Sequence, residues 1–150
     1  MVDPMVENDN VAAVRTFVDR AWNAGDESVF YEHLAPDFAF PGGPDGFKEM
    51  ILGFRSAFTD FEVEIDDMFG VNDKVVTRFT MRGTHEGEFM GVPPTGKSVE
   101  FGGIAIDVMR DGKRVNGWAQ LDRLGLLTQL GVVGGPSSAP ISDLGQKAER

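Results

Sequence analysis

Three side chains have both the chemistry for proton transfer and a position that suggests a pocket. His85 ends a stretch of alternating residues and opens a Pro-rich loop. An imidazole there titrates near neutral pH and would act as acid or base at a pocket mouth, or else anchor the loop by a hydrogen bond. Asp122 stands just before the apolar run Leu124-Gly125-Leu126-Leu127. It is either a pocket acid whose pKa apolar surroundings raise or the cap of the last helix. Asp107 lies among Ile106, Val108 and Met109 and shares a face with Gly103 and Ala105 by alternation. A carboxylate on an inward face needs a partner, so it reads as a catalytic base or as one half of a salt bridge near a strand end.

The chain has no cysteine and only 2 histidines. Thiol catalysis, disulfides and cysteine metal sites are excluded, and no metal site is expected. The glycines near residue 42 lie between prolines, outside the strand-loop-helix context of a phosphate loop. No cofactor is expected.

Small residues mark a second kind of site. Gly102, Gly103 and Ala105 fall in one predicted strand, and Gly117 and Ala119 in the next. Small residues in a strand leave room above it. Trp22, Phe40, Phe54, Phe58, Phe89 and Met90 are the candidates to line that room. The chain holds 12 Phe against 2 Trp and 1 Tyr, a bias toward apolar contact without a polar handle. Together with Gly103, Ala105 and Ala119 these residues form the candidate ligand-binding set. The alternative is that the Phe side chains fill the space as core.

The elements that position these residues follow from periodicity. Asp9–Ala24 reads as a helix with Val11, Val14, Phe17, Val18, Ala21 and Trp22 on one stripe. A short helix runs from Asp26 or Ser28 to Leu34 and stops before Pro36. Phe38–Phe40 suits one brief strand, and Pro41–Pro44 is a turn. A third helix, Asp45–Phe58, carries Phe47, Met50, Ile51, Phe54 and Phe58.

Strands follow. Phe61, Val63, Ile65 and Phe69 alternate with polar residues, and Lys74–Thr84 alternates in turn. Matching the apolar faces places Ile65 opposite Phe79, Val63 opposite Met81 and Phe69 opposite Val75. It also pairs Asp66 with Arg78 and Glu62 with Arg82, and predicts a three-residue loop, Val71-Asn72-Asp73. His85–Lys97 is a loop. Ser98–Arg110 and Arg114–Asp122 are strands joined by the Asp111-Gly112 turn, and Leu124–Leu130 is a short helix. Trp118 and Gln120 fall on the outer face with Arg78 and Arg82. The expected fold class is α+β: a curved antiparallel sheet packed against helices, forming a cone with an internal cavity. One domain spans 1–133, and 134–150 reads as a flexible tail.

At 150 residues the chain suits one domain. The net charge of −10 disfavours nucleic acid and anionic membrane surfaces. The start carries no basic region followed by an apolar run, and no stretch reaches the ~20 apolar residues of a membrane span. The expected location is cytoplasmic.

Several strings resemble the SnoaL-like polyketide cyclase family, within the nuclear-transport-factor-like cone superfamily. They are GTHEGEFMGVPPTGKSVEFGGI (Gly83–Ile104), DGKRVNGWAQLDRLGLLTQLG (Asp111–Gly131), WNAGD in the first helix and LAPDF (Leu34–Phe38). The resemblance covers about Val11 to Gly131. It implies a cavity between sheet and helices and a homodimer through the outer sheet face. It also implies cofactor-free aldol ring closure by an Asp on the last long strand, helped by a His on the preceding one. The matching positions here are Ala119 and Ala105. A methyl group cannot move a proton. Three functions remain in play: binding of a small apolar, partly oxygenated molecule; cofactor-free cyclase, isomerase or hydrolase chemistry using His85 with Asp122 or Asp107; and a dimeric interaction module.

Overall fold

The computed structural model describes residues 3–132. The expected tail, 134–150, lies outside the described residues. Helix α1 spans Pro4–Phe17. It starts earlier than the apolar stripe alone predicts, because Asp3 caps it: its carboxylate accepts from the Met5 N–H at 2.8 Å, and Pro4 takes the first helical position. The helix continues into a wider π turn, Val18–Asn23, in which the Ala24 N–H donates to the Asp19 carbonyl.

That turn is tied at two points. The Asn23 amide donates to the Val63 carbonyl at 3.0 Å and accepts from the Val63 N–H at 2.7 Å. Arg55 donates to the carbonyls of Trp22 and Asn23, both at 2.7 Å. The helix end therefore has its orphan carbonyls satisfied and Trp22 held in place.

Helix α2 is Val29–His33 and α3 is Gly43–Ala57. The brief strand expected at Phe38–Phe40 does not form. Instead Leu34 bridges to Arg114, the Ala35 N–H donates to the Arg114 carbonyl and the Ala39 N–H to the Val115 carbonyl. The segment so runs along the start of the last strand.

Strands β1 (Phe58–Val71), β2 (Lys74–His85), β3 (Ser98–Arg110) and β4 (Lys113–Leu121) make one four-stranded antiparallel sheet in that order. Helix α4, Arg123–Gln129, follows. The Gln129 amide bonds both backbone groups of Glu100, which covers the edge of β3 that β4 does not reach. The architecture is the expected α+β class, with helices on one face of a curved open sheet.

The predicted pairs Ile65–Phe79, Val63–Met81 and Glu62–Arg82 are present. Beyond Ile65 the register changes. Asp66 is an extra residue on β1, so Asp67 faces Arg78 and Phe69 faces Val76. Such a bulge reverses which face the following residues take. Met68 turns in toward Val14, Val75 and Met109. Phe69, expected inside, is 50% exposed on the outer face. The loop shortens to Asn72-Asp73, with Val71 paired to Lys74. Asp66 still reaches Arg78, at 3.7 Å.

Another irregularity shapes β4. Val108 pairs with Asn116, but Met109 pairs with Arg114, leaving Val115 as an extra residue. Arg114 is thereby turned to the inner face, opposite to the face that strict alternation from Trp118 assigns it.

Two large apolar clusters, bridged by Trp22 and Met50, make up most of the core. One joins Phe54, Phe58, Phe61, Phe79, Met81, Phe101 and Leu126. The other joins Phe17, Phe30, Leu34, Phe38, Phe47 and Ile51. Replacing the fully buried Ile51 by Ala should destabilise the fold by about 2–5 kcal/mol. Asp122→Ala, which removes only a helix cap, should cost about 1 kcal/mol. Urea denaturation of both variants checks the ranking.

Candidate functional site

A cavity of about 310 Å³ lies between the helices and the inner face of the sheet. Its helix side is Val14, Phe17, Val18, Trp22, Phe47, Met50 and Phe54, with Phe38 and Phe40 from the segment after α2. Its sheet side is Val63, Thr77, Phe79, Met81, Ala105, Asp107, Arg114, Gly117 and Ala119. Gln120, Leu121 and Arg123 complete the wall where Ala119, Gln120 and Arg123 are exposed, so the cavity opens by the end of β4.

The wall is mainly apolar, with one buried ion pair. Asp107, 5% exposed, pairs across the sheet with Gly117 and Val75. Its Oδ1 lies 2.7 Å from Arg114 Nε. The Nε–H is not aimed at that oxygen, and both atoms are buried without a hydrogen-bond partner. The contact is a close ion pair. The Arg114 guanidinium stacks between rings, 5.1 Å from the Phe38 centroid and 4.8 Å from that of Phe47. These two faces hold its plane.

Gly117 makes this possible. A Cβ there would stand 2.4 Å from Arg114 Nη2 and 2.9 Å from Nε. Glycine is required for close approach, not for an unusual backbone angle. Burial pushes the Asp107 carboxyl above the usual carboxylate range, and the Arg114 charge pulls against it. The Thr77 hydroxyl is a third buried polar group on the wall without a hydrogen-bond partner. It sits opposite Ala105 in the β2–β3 pairing.

Of the candidate acids and bases, Asp107 alone lies in this wall. His85 is fully buried beneath the β2–β3 loop. Its Nδ1 bonds the Thr95 hydroxyl at 3.0 Å and accepts from the Thr95 N–H at 3.2 Å, and its ring lies 5.5 Å from Phe58. Asp122 is exposed and caps α4, accepting from the Gly125 N–H at 2.9 Å.

Of the ligand-binding candidates, Trp22, Phe40, Phe54, Ala105 and Ala119 line the cavity. Phe58 and Phe89 pack into the large cluster beside it, with centroids 5.1 Å apart. Met90 is exposed on the loop. The room left by Gly103 is taken by Phe79 and Leu121, each 2.7 Å from where a Cβ would sit.

Arg114 and Thr77 escaped the sequence reading. Thr77 alternates correctly with Val75 and Phe79, so its inward face was legible. Arg114 carried no such signal, because the extra residue Val115 reverses its face. Among the described residues no cluster of three His, Cys, Asp or Glu could hold a metal, and no helix is long and apolar enough to cross a membrane.

Residues 12–130 match the family model of the SnoaL-like polyketide cyclases. The chain belongs to the SnoaL-like polyketide cyclase family. It is 28% identical over 119 residues to aklanonic acid methyl ester cyclase AcmA of Streptomyces galilaeus, covering 71% of this chain and 79% of AcmA. The solved structure of TsrD from Streptomyces laurentii superposes with a TM-score of 0.79 at 28% identity, over 89% of this chain and 100% of TsrD. AclR from Streptomyces galilaeus gives a TM-score of 0.77 at 28% identity, over 95% of this chain and 94% of AclR.

Ala105 and Ala119 are direct cross-strand partners in this SnoaL-like sheet, and both line the cavity. The ionic group stands one inward pair further along, at Asp107 opposite Gly117.

Removing one partner of a buried pair leaves an uncompensated charge. Arg114→Met should therefore cost about 3–5 kcal/mol near neutral pH. Asp107 then titrates still higher in the folded state than in the unfolded chain. The folded state binds the proton more tightly, so the fold is favoured at low pH and loses stability as pH rises through the folded midpoint. The Arg114→Met penalty should shrink on acidification, and Asp107→Leu/Arg114→Met should recover most of it. Urea denaturation across a pH series measures both.

Proposed function

We propose that this SnoaL-like protein binds a small, largely apolar, partly oxygenated molecule in the cone cavity. One observation carries the reading: an apolar cavity whose wall holds the buried Asp107–Arg114 ion pair and the buried Thr77 hydroxyl, which has no hydrogen-bond partner. Buried polar atoms are nearly always satisfied. A ligand whose carbonyl or hydroxyl oxygens meet these groups, and whose carbon frame meets Trp22, Phe40 and Phe54, satisfies both halves of the wall. The ion pair is neutral overall, so the inner end suits uncharged oxygen functions.

A second reading has specific support. AcmA is a cyclase by name, and Asp107 is a buried carboxyl in the cavity wall with its proton affinity raised by burial. A carboxyl whose proton affinity is raised by burial is suited to general acid–base work. On this reading the chain is a cofactor-free polyketide cyclase-like enzyme whose acid–base residue is Asp107. The work falls there because the positions matching the family's Asp and His are alanines.

The binding reading is tested with a tricyclic hydroxyketone as probe, followed by quenching of Trp22 fluorescence in a Trp118→Phe background. Ala105→Phe fills the cavity from the sheet side and should weaken binding at least tenfold, about 1.4 kcal/mol. Unchanged affinity would refute the site. Asp107→Asn should keep probe binding within a few-fold and abolish any turnover detected.

The outer sheet face supports the proposed homodimer. Phe69, Val76, Ile106 and Trp118 are successive cross-strand partners over all four strands. Trp118 is 56% and Ile106 37% exposed, and Ile104 and Val71 flank the row. An apolar band of this kind on a strand face marks an interface. Trp118→Glu should shift sedimentation equilibrium from dimer to monomer, with the melting temperature at low protein concentration little changed.

A further inference from the structure

His33 is a titratable group that neither reading above uses. It ends α2, half-buried, with its ring 6.1 Å from that of Phe17. Its Nδ1 is buried and has no hydrogen-bond partner. A second, smaller void of about 20 Å³ adjoins it, and His33, Met109, Asp107 and Arg114 are among its walls. The Asp107–Arg114 pair thus lines both this void and the main cavity.

The void has the size and chemistry of a single-water site. One water needs roughly 10–15 Å³ of such space and about three polar partners. His33, Asp107 and Arg114 are the polar residues of its lining, and each carries a buried atom without a hydrogen-bond partner, Nδ1, Oδ1 and Nε. We propose that this void holds one ordered water joining His33 Nδ1 to the Asp107–Arg114 pair, and that His33 is the positioning residue through which Asp107 is hydrated and exchanges its proton from outside the main cavity.

The exchange balances without another reactant. Protonated His33 donates its Nδ1 proton to the water oxygen as the water passes one of its own protons to Asp107. The products are a neutral imidazole and a neutral carboxylic acid. The charged groups facing His33 are Glu32 on α2, Arg20 on the π turn and Lys113 on β4, with Asp107 and Arg114 across the void. Facing Asp107 are Arg114 and, across the void, His33. Burial lowers the His33 proton affinity, with Glu32 opposing and Arg20 and Lys113 reinforcing the effect, while burial raises that of Asp107. The two groups are brought nearer to a match, which favours transfer in both directions. A proton supplied this way would return Asp107 to its acid form while a ligand blocked the cavity mouth. That consequence rests on Asp107 being the acid–base group of the cavity; the water site itself does not.

The test uses the full-length protein with no ligand, so it is independent of whether the cavity binds the hydroxyketone probe. A crystal structure of the wild-type chain should show a water within about 3.2 Å of both His33 Nδ1 and Asp107 Oδ1. Carbon-13 titration of the Asp107 carboxyl should show its midpoint rising by about one pH unit in His33→Phe, where the hydrogen bonds that favour the anion are lost. His33→Gln, which can still hold the water, should stay close to wild type. A merely packing role would leave the midpoint unmoved in His33→Phe, since a ring against Phe17 is kept. A wild-type void without water, or an unmoved midpoint in a folded His33→Phe, overturns the proposal. Should His33→Phe not fold, the wild-type water alone decides.

Discussion

A carboxylate and a guanidinium stand together at one side of an otherwise apolar cavity, and much of the sheet geometry serves to place them there. Burying two charges is costly unless each compensates the other. The structure meets that demand with a 2.7 Å contact between Asp107 and Arg114 and with the rings of Phe38 and Phe47 on the guanidinium. Gly117 supplies the space beneath the arginine. The extra residue Val115 turns the arginine inward, and backbone bonds from Ala35 and Ala39 hold that irregular stretch of β4 in place. Each of these features would be a weakness in isolation. Together they put a buried ion pair into the wall of a largely apolar cavity.

The same logic explains the outside of the sheet. The bulge at Asp66 turns Met68 in and Phe69 out. Phe69 then completes an apolar row that ends at Trp118 on the far strand. Further along, Arg82 reaches Glu62, Glu64 and Glu100. Exposed ion pairs of this kind contribute little to stability. They set the polar border of the apolar row.

Regular periodicity was readable and its interruptions were not. The three main helices, the order of the four strands, the Ile65–Phe79 and Val63–Met81 pairs and the Asp111-Gly112 turn all follow from spacing of apolar residues and from turn chemistry. So did the inward face of Asp107 and Ala105 on β3 and of Ala119 on β4, because the pairing is unbroken through both stretches. Phe69 and Arg114 were misplaced or missed for one shared reason: a single inserted residue reverses the side-chain alternation, and nothing local in Asp66 or Val115 announces it. Glycine was ambiguous in a different way. Gly103 and Gly117 are both small residues on inward faces, yet one accommodates Phe79 and the other accommodates Arg114. Small size predicts room, but the neighbour that takes the room is set by long-range packing.

The central claim is that Arg114 is locked inside the cone against Asp107. Nitrogen-15 spectra of the guanidinium groups test it most directly, through the exchange rate of each Nε–H with water. The account predicts an Arg114 Nε–H that exchanges far more slowly than that of the exposed Arg78, and that loses this protection in Asp107→Leu. An Arg114 that exchanges as fast as Arg78 in the wild-type protein would place its side chain in solvent and contradict the account.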